Sequence, residues 1–277
     1  MPKLIKFEAA PVHDAGELFA GLQVSNIFKV EWVISDDIKD KGVFWVAPVA
    51  SDLYWVSDGI DRIAAAVPER IKRFLYRGVA SRCLHLAKRY LNGLVPIQAG
   101  DTVINFGANI GEIALVIAGQ GARVFAIEPD PGVLVALRAN AAGRKIAVIE
   151  AAAWNKVEML TLFQKTDTAD TSVFNPSGRT IEVPAVTIDA LDSTDIGIGD
   201  RIKLLIGDAE GAEPEVLEGA RETLKKTEYV SVCASAERAG ESTQKACLAI
   251  LEDAGFDIIH KEDTKFCTLI GRNRTLS

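Results

Sequence analysis

DTVINFGANIGEIALVIA, residues 101–118, holds an apolar strand, a glycine corner and the opening turns of a helix. The run TVINF fits a strand, and the periodic apolar residues after Glu112 fit a helix that stops at Gly119 or Gly121. Gly107 and Gly111 flank Ala108, Asn109 and Ile110, so something comes close to the backbone where side chains would otherwise stand. Outward from this corner the same beat repeats. ARVFAIEP is a strand, PGVLVALRANAAG a helix opened by Pro131 and closed by Gly143, and KIAVIEAAA a third strand. Further on, RIKLLIGD is a strand, PEVLEGARETLKKT a helix, EYVSVCAS a strand and STQKACLAILEDAGF a helix. FDIIHKED and KFCTLIGR read as an antiparallel hairpin at a sheet edge. Strands alternating with helices imply right-handed crossovers and an α/β fold whose mostly parallel sheet is covered on both faces.

Two segments break the beat. MLTLFQKTDTADTSVFNPSGRTIEVPAVTIDAL, between the third and fourth strands, has strand-like ends and a polar middle that reads as a mobile loop. Ligands of open α/β sheets bind beyond the carboxyl ends of the strands, which is where this loop lies. The first 95 residues read as an α+β cap, 1–95, set before a ligand-binding domain, 96–277. KVEWVIS, GVFWVAP and DLYWVSD are its strands, and PERIKRFLYRGVASRCLHLAKRYL is its helical part.

Composition narrows the class. Of the 277 residues 48% are hydrophobic and 25% charged, enough for a real core. The formal net charge of −7 disfavours a nucleic-acid partner held by a global basic field. Cys83, Cys233, Cys247 and Cys267 show no paired spacing, so neither zinc nor a disulfide framework is expected, and a reducing cytoplasm fits. No run approaches the roughly 20 apolar residues of a membrane span, and the N-terminus lacks a signal-peptide core.

The corner itself chooses among ligands. A dinucleotide fingerprint needs a middle glycine so that the backbone can approach a pyrophosphate, and Asn109 stands there. The lysine of a phosphate loop is missing too. An uncharged or zwitterionic ligand tail suits the turn better. The next strand ends in Glu128 and Pro129, and a carboxylate at that place can accept from both hydroxyls of a ribose. The competing role for Glu128 is to favour the N-terminus of the following helix.

With these residues in hand, VINFGANIG, VFAIEPDP, AAAWN, VPAVTIDAL and LLIGDAEGAEPEVLEGA together resemble the FkbM family of S-adenosylmethionine-dependent methyltransferases, over about residues 96–272. The resemblance implies a Rossmann-like class I methyltransferase with a seven-stranded sheet, the hairpin at its C-terminus and the cap before it. It implies S-adenosylmethionine as cofactor and O-methylation of a sugar, glycan or polyketide-like small molecule. Asn105, Gly107, Ala108, Asn109 and Gly111 would then hold the methionine part. Glu128 and Pro129 would border the ribose, Ala152 and Ala153 the adenine, and the loop from Asp208 to Glu213 the methyl-transfer site, with Asp208 also touching the cofactor. Two positions depart from the family pattern: Asn105 replaces an aspartate, and Gly207 replaces a larger residue, often lysine.

An alcohol must lose a proton to accept a methyl group, so carboxylates are the candidate bases. Asp208 ends a strand, while Glu210 and Glu213 lie in the turn before Pro214. Glu213 has a competing role as a helix-capping carboxylate, and Glu210 as a solvated charge. Asp208 and Glu210 could share a divalent cation, but no third ligand is evident, and no metal is expected. His13 and His260 read as structural or exposed, and His85 is a minor candidate base. Arg70, Arg73 and Arg77 share a helical face, with Ile71, Phe74 and Leu75 toward another. A solvated amphipathic face is the default explanation, and attraction of an anionic acceptor is the sharper one. A non-catalytic S-adenosylmethionine-binding protein and an RNA methyltransferase are the alternative readings. Trp32, Trp45, Tyr54 and Trp55 could stack on a sugar, and their exposed strands are compatible with a homodimer.

Overall fold

The computed structural model describes residues 8–9, 28–33, 41–50, 53–66, 71, 73–74, 78–164, 171–176, 178–192, 197–238, 240–263 and 267–276. The first five strands form an antiparallel sheet in chain order: β1 (Glu8–Ala9), β2 (Phe28–Val33), β3 (Lys41–Ala50), β4 (Leu53–Ser57) and β5 (Arg62–Ala65). The three strands expected in the cap are there, with β1 and β5 added at the edges. Helix α1 (Val79–Leu91) follows Gly78.

The α/β beat then begins: β6 (Thr102–Phe106), α2 (Glu112–Gly119), β7 (Arg123–Ile127), α3 (Pro131–Ala141) and β8 (Ile146–Ile149). The third expected strand stops at Ile149. Ala152–Ala153, as β9, leaves it for a second sheet with β10 (Glu158–Gln164), β11 (Thr171–Ser172) and β12 (Arg179–Val186). The interval expected to be a loop between two strands therefore carries β11 in its middle, paired with β10 through Phe163↔Ser172 and Gln164↔Thr171. Residues 165–170 lie outside the described residues.

The remaining elements are α4 (Ile188–Asp192), β13 (Ile202–Gly207), α5 (Glu213–Glu218), α6 (Arg221–Lys225), β14 (Thr227–Cys233), α7 (Gln244–Asp253), β15 (Phe256–Lys261) and β16 (Thr268–Asn273). The single helix expected after β13 is broken into α5 and α6 at Gly219. Any side chain at Gly219 would collide with the backbone carbonyl of Trp154, so the chain is pinned there against the loop after β9.

The main sheet has the order β15-β16-β14-β13-β6-β7-β8. β14, β13, β6, β7 and β8 run parallel, and β16 is antiparallel to both its neighbours. This is the mostly parallel seven-stranded sheet with a C-terminal hairpin. β6 and β14 are buried along their whole length, as strands covered on both faces must be. One face packs Ile104, Phe106, Leu205 and Val232 against Val216, Leu217 and Leu251. The other packs Val103, Leu204 and Ile206 against Ala87, Tyr90, Ala114 and Ile117. Burying each large aliphatic side chain in this way contributes roughly 1.5–3 kcal/mol.

The chain leaves β6 toward β7 on one side and later places β13 on the other. The order therefore reverses at β6, and a crevice opens beyond the carboxyl ends of β6 and β13. The cap sheet packs onto the same region. Val56, Ile63, Ala64, Ile71 and Phe74 share one apolar cluster with Ile110, Val133 and Ala136. Asn140 on α3 stitches the two parts. Its Oδ1 accepts from the Ala64 amide at 2.8 Å, while Nδ2 donates to the carbonyls of Ala64 at 2.9 Å and Ile110 at 2.7 Å.

Candidate functional site

The corner is built as its glycines require. Gly107 has φ 59°, and a Cβ there would run into the backbone carbonyl of Asp208, so the turns after β6 and β13 touch directly. Gly111 has φ 91°, and a Cβ would press on Leu137 Cδ1 at 2.8 Å. Asn109 also has a positive φ, 53°, in the left-handed region where asparagine is tolerated. Its amide donates to Glu128 Oε2 at 2.7 Å, and the Asp130 amide donates to Glu128 Oε1 at 3.0 Å. Glu128 thus clasps the corner to β7.

These turns floor a cavity. Asn105, Gly107, Ala108, Asn109, Glu128, Pro129, Ala152, Ala153, Asp208 and Glu210 line it. Gly111 does not line it and serves as the N-cap of α2. Glu213 does not line it either. It is fully buried beneath the turn, where Oε1 accepts from the amides of Ala209 at 2.9 Å and Gly211 at 3.2 Å, and Oε2 accepts from Thr243 at 2.8 Å. Burial first, and the nearby charge of Asp208 second, raise its pKa from 4.5 to about 7.

Asn105 is 1% exposed. Its Nδ2 donates to the carbonyls of Phe106 and Ile206, both at 3.3 Å, and its Oδ1 is buried with no hydrogen-bond partner. A buried acceptor in the cavity wall calls for a donor from a ligand. Gly207 also has a local cause. It lies opposite Phe106 in the ladder, and a Cβ there would strike the Phe106 carbonyl and ring. Phe106 and Gly207 are a packing pair.

The remaining walls come from elements that the sequence placed only loosely. Helix α1 buries Val79, Cys83, Ala87, Tyr90 and Leu91, while Arg82, Leu86 and Arg89, spaced i, i+4 and i+7, face the cavity with Tyr90 at its edge. The Tyr90 hydroxyl donates to Asp208 Oδ2 at 2.8 Å. Burial and the adjacent Asp208 push the Tyr90 pKa well above its usual value, so it stays a donor. The second sheet supplies Trp154, Leu160, Leu162, Thr171 and Val173 as a mostly apolar wall. Thr171 donates to Asp130 at 2.6 Å, and Ser172 donates to the Glu210 carbonyl at 2.9 Å.

Glu210 has φ 50°, a strained setting for a non-glycine residue. Arg238 fastens the turn around it. Its Nε and Nη2 donate to the Gly211 carbonyl at 3.0 and 2.7 Å, it pairs with Glu215, and its guanidinium lies 4.0 Å over the Phe174 ring. Glu237 is the third carboxylate that the sequence did not single out. One of its oxygens lies within 4.8 Å of a carboxylate oxygen on Asp208 and of one on Glu210.

Other sequence candidates fall elsewhere. His85 is exposed and does not line the cavity, and His260 is half-buried beside Asn92. His13, Arg70 and Arg77, with the side chains of Trp32 and Trp45, lie outside the described residues. Tyr54 and Trp55 pack against the cap cluster and do not line the cavity. Of the residues that sequence reasoning missed, Tyr90, Thr171, Arg238 and Glu237 carry no local motif, while Asp130 stands within VFAIEPDP. Beyond that, only the α1 spacing of Arg82, Leu86 and Arg89 offered a signal.

The sequence pattern of the Methyltransferase FkbM domain matches residues 105–258. Over 78 residues the chain is 40% identical to 31-O-demethyl-FK506 methyltransferase FkbM from Streptomyces tacrolimicus, a match covering 27% of this chain and 28% of that protein. Among solved structures, magnesium protoporphyrin IX methyltransferase from Synechocystis aligns at TM-score 0.43 and 12% identity, over 70% of this chain and 79% of that one. The Methanococcus jannaschii fibrillarin pre-rRNA processing protein aligns at TM-score 0.41 and 14% identity, over 97% and 98%.

Proposed function

The chain belongs to the methyltransferase FkbM family, and from that premise we propose that it is an S-adenosylmethionine-dependent methyltransferase. Its acceptor in this reading is a hydroxyl of a sugar, glycan or polyketide-like small molecule. The observation that carries the proposal is the corner after β6, where the buried Asn105 Oδ1 waits for a donor beside the close-packed Gly107 and the Glu128 carboxylate. An ammonium fits the first of these and ribose hydroxyls fit the last.

When bound, S-adenosylmethionine supplies a methyl group already activated on a sulfonium. The residues of this chain then have three tasks. Asn105, Gly107 and Glu128 fix the cofactor's orientation, which matters because in-line displacement depends on alignment. Leu160, Leu162, Val173 and Trp154 exclude water from one side. Asp208, held in place by Tyr90, takes the proton from the acceptor hydroxyl as the new oxygen–carbon bond forms. Glu210 faces the acceptor as a second carboxylate. Glu213 acts from beneath, by holding the amides of the turn. A cytoplasmic setting belongs to the same reading and is supported by the four cysteines, none of which is in a disulfide among the described residues.

Titration calorimetry with S-adenosylmethionine, S-adenosylhomocysteine and NAD tests the proposal. Micromolar binding of the two sulfur compounds and none of NAD is expected. Binding of NAD instead would overturn it.

A further inference from the structure

Arg73, Arg82 and Arg89 bring three guanidinium groups to the cavity. Two of them are engaged. Arg82 pairs with Glu112 at 3.1 Å, and Arg89 contacts Cys233 Sγ at 3.5 Å and lies 5.5 Å from the centre of the Tyr90 ring. Arg73 makes no hydrogen bond, ion pair or ring contact among the described residues. Its backbone is anchored by Ile71 and Phe74, which are 4% and 1% exposed in the cap cluster, and Arg73 lines the cavity.

A half-buried guanidinium has given up part of its hydration, so its donors call for an acceptor. The nearby carboxylates already have donors: Glu112 from Arg82, Asp208 from Tyr90, and Glu128 from two backbone amides. The planar fork of arginine matches a carboxylate or a phosphate in bidentate fashion. Arg73 also lies before residue 105, outside the stretch that the family pattern matches.

We infer that the methyl acceptor is anionic: a hydroxyl compound bearing a carboxylate or phosphate that Arg73 holds while its hydroxyl faces Asp208. This inference rests on the proposed function and narrows its substrate class. The rival source of the same chemistry is the carboxylate at the methionine end of the cofactor.

The test is calorimetry of inorganic phosphate binding to the protein saturated with S-adenosylhomocysteine, for the wild type, Arg73→Gln and Arg73→Lys. Phosphate is expected to bind the wild-type complex. Arg73→Gln should weaken it by about tenfold or more, with Arg73→Lys between the two and S-adenosylhomocysteine affinity the same in all three. Equal phosphate affinity in wild type and Arg73→Gln, or no phosphate binding by the wild-type complex, overturns the inference and leaves the proposed function standing. Loss of S-adenosylhomocysteine affinity in Arg73→Gln overturns it as well, by assigning the guanidinium to the cofactor. A wild-type protein that does not bind S-adenosylhomocysteine sinks the proposed function first, and this inference with it. Thermal unfolding of the variants, expected within a few degrees of wild type because Arg73 is half-exposed, guards against a folding artefact.

Discussion

Asn105 uses its amide to tie two strand carbonyls and leaves its oxygen buried without a partner. Aspartate at this position would oppose an ammonium better but would lose both amide bonds and face two carbonyls with a negative charge. Asn105→Asp is therefore expected to lower the Tm of the free protein, with a cost of about 2 kcal/mol, and to enlarge the Tm rise on adding S-adenosylmethionine. A smaller rise would show that no cation sits at this oxygen. Glu213 gives a second prediction at this scale. Its pKa is about 7 in the folded protein against 4.5 when unperturbed, so the folded state holds a proton that the unfolded state releases between those values. That contribution to stability is full below pH 4.5 and is lost as pH rises through 7, on the order of 1 kcal/mol per pH unit within the window. Glu213→Gln keeps acceptors for both amides and should flatten Tm against pH between 5 and 8. An unchanged slope would assign it to another group.

Helix α1 shows at the scale of elements what the sequence could and could not tell. Its helical character was legible in the run PERIKRFLYRGVASRCLHLAKRYL, but the faces read there, between Arg70 and Arg77, precede the helix itself. The Tyr90–Asp208 hydrogen bond was not legible, because it joins residues 118 apart and no periodicity encodes such a pairing. The same holds for Glu237 and Arg238, which reach the site from the loop after β14. The split of the helix after β13 was missed because Gly219 is tolerable within a helix, and only the close approach of the Trp154 carbonyl makes it a break. The glycine corner was the opposite case, with strand, turn and helix contiguous and the chemistry local. Tyr90→Phe tests the function of α1. Losing the hydroxyl frees Asp208 to turn, so kcat should fall about tenfold with cofactor affinity unchanged. An unaltered kcat would mean that Tyr90 is only a packing residue.

For the whole molecule, the cap and the α/β domain share a core. The apolar cluster containing Ile63, Phe74 and Ile110 crosses the boundary expected near residue 95, and Asn140 satisfies polar groups on both sides of it. Asn140→Ala leaves two carbonyls and one amide without their partners and should destabilise the protein by about 2–4 kcal/mol, read as a lower denaturant midpoint. Because Ile110 belongs to the corner, the variant should also bind S-adenosylhomocysteine more weakly. Undiminished affinity would show the corner to be held by β6 and α2 alone.

The stitch at Asn140 has a consequence for engineering and for descent alike. Swapping the first 95 residues for those of another family member, the obvious route to a new acceptor, removes the backbone groups of Ala64 that the amide of Asn140 grips. A graft that ignores them disables the host before any new substrate is offered. A successful transplant must carry a strand that docks on α3 in the same register as β5.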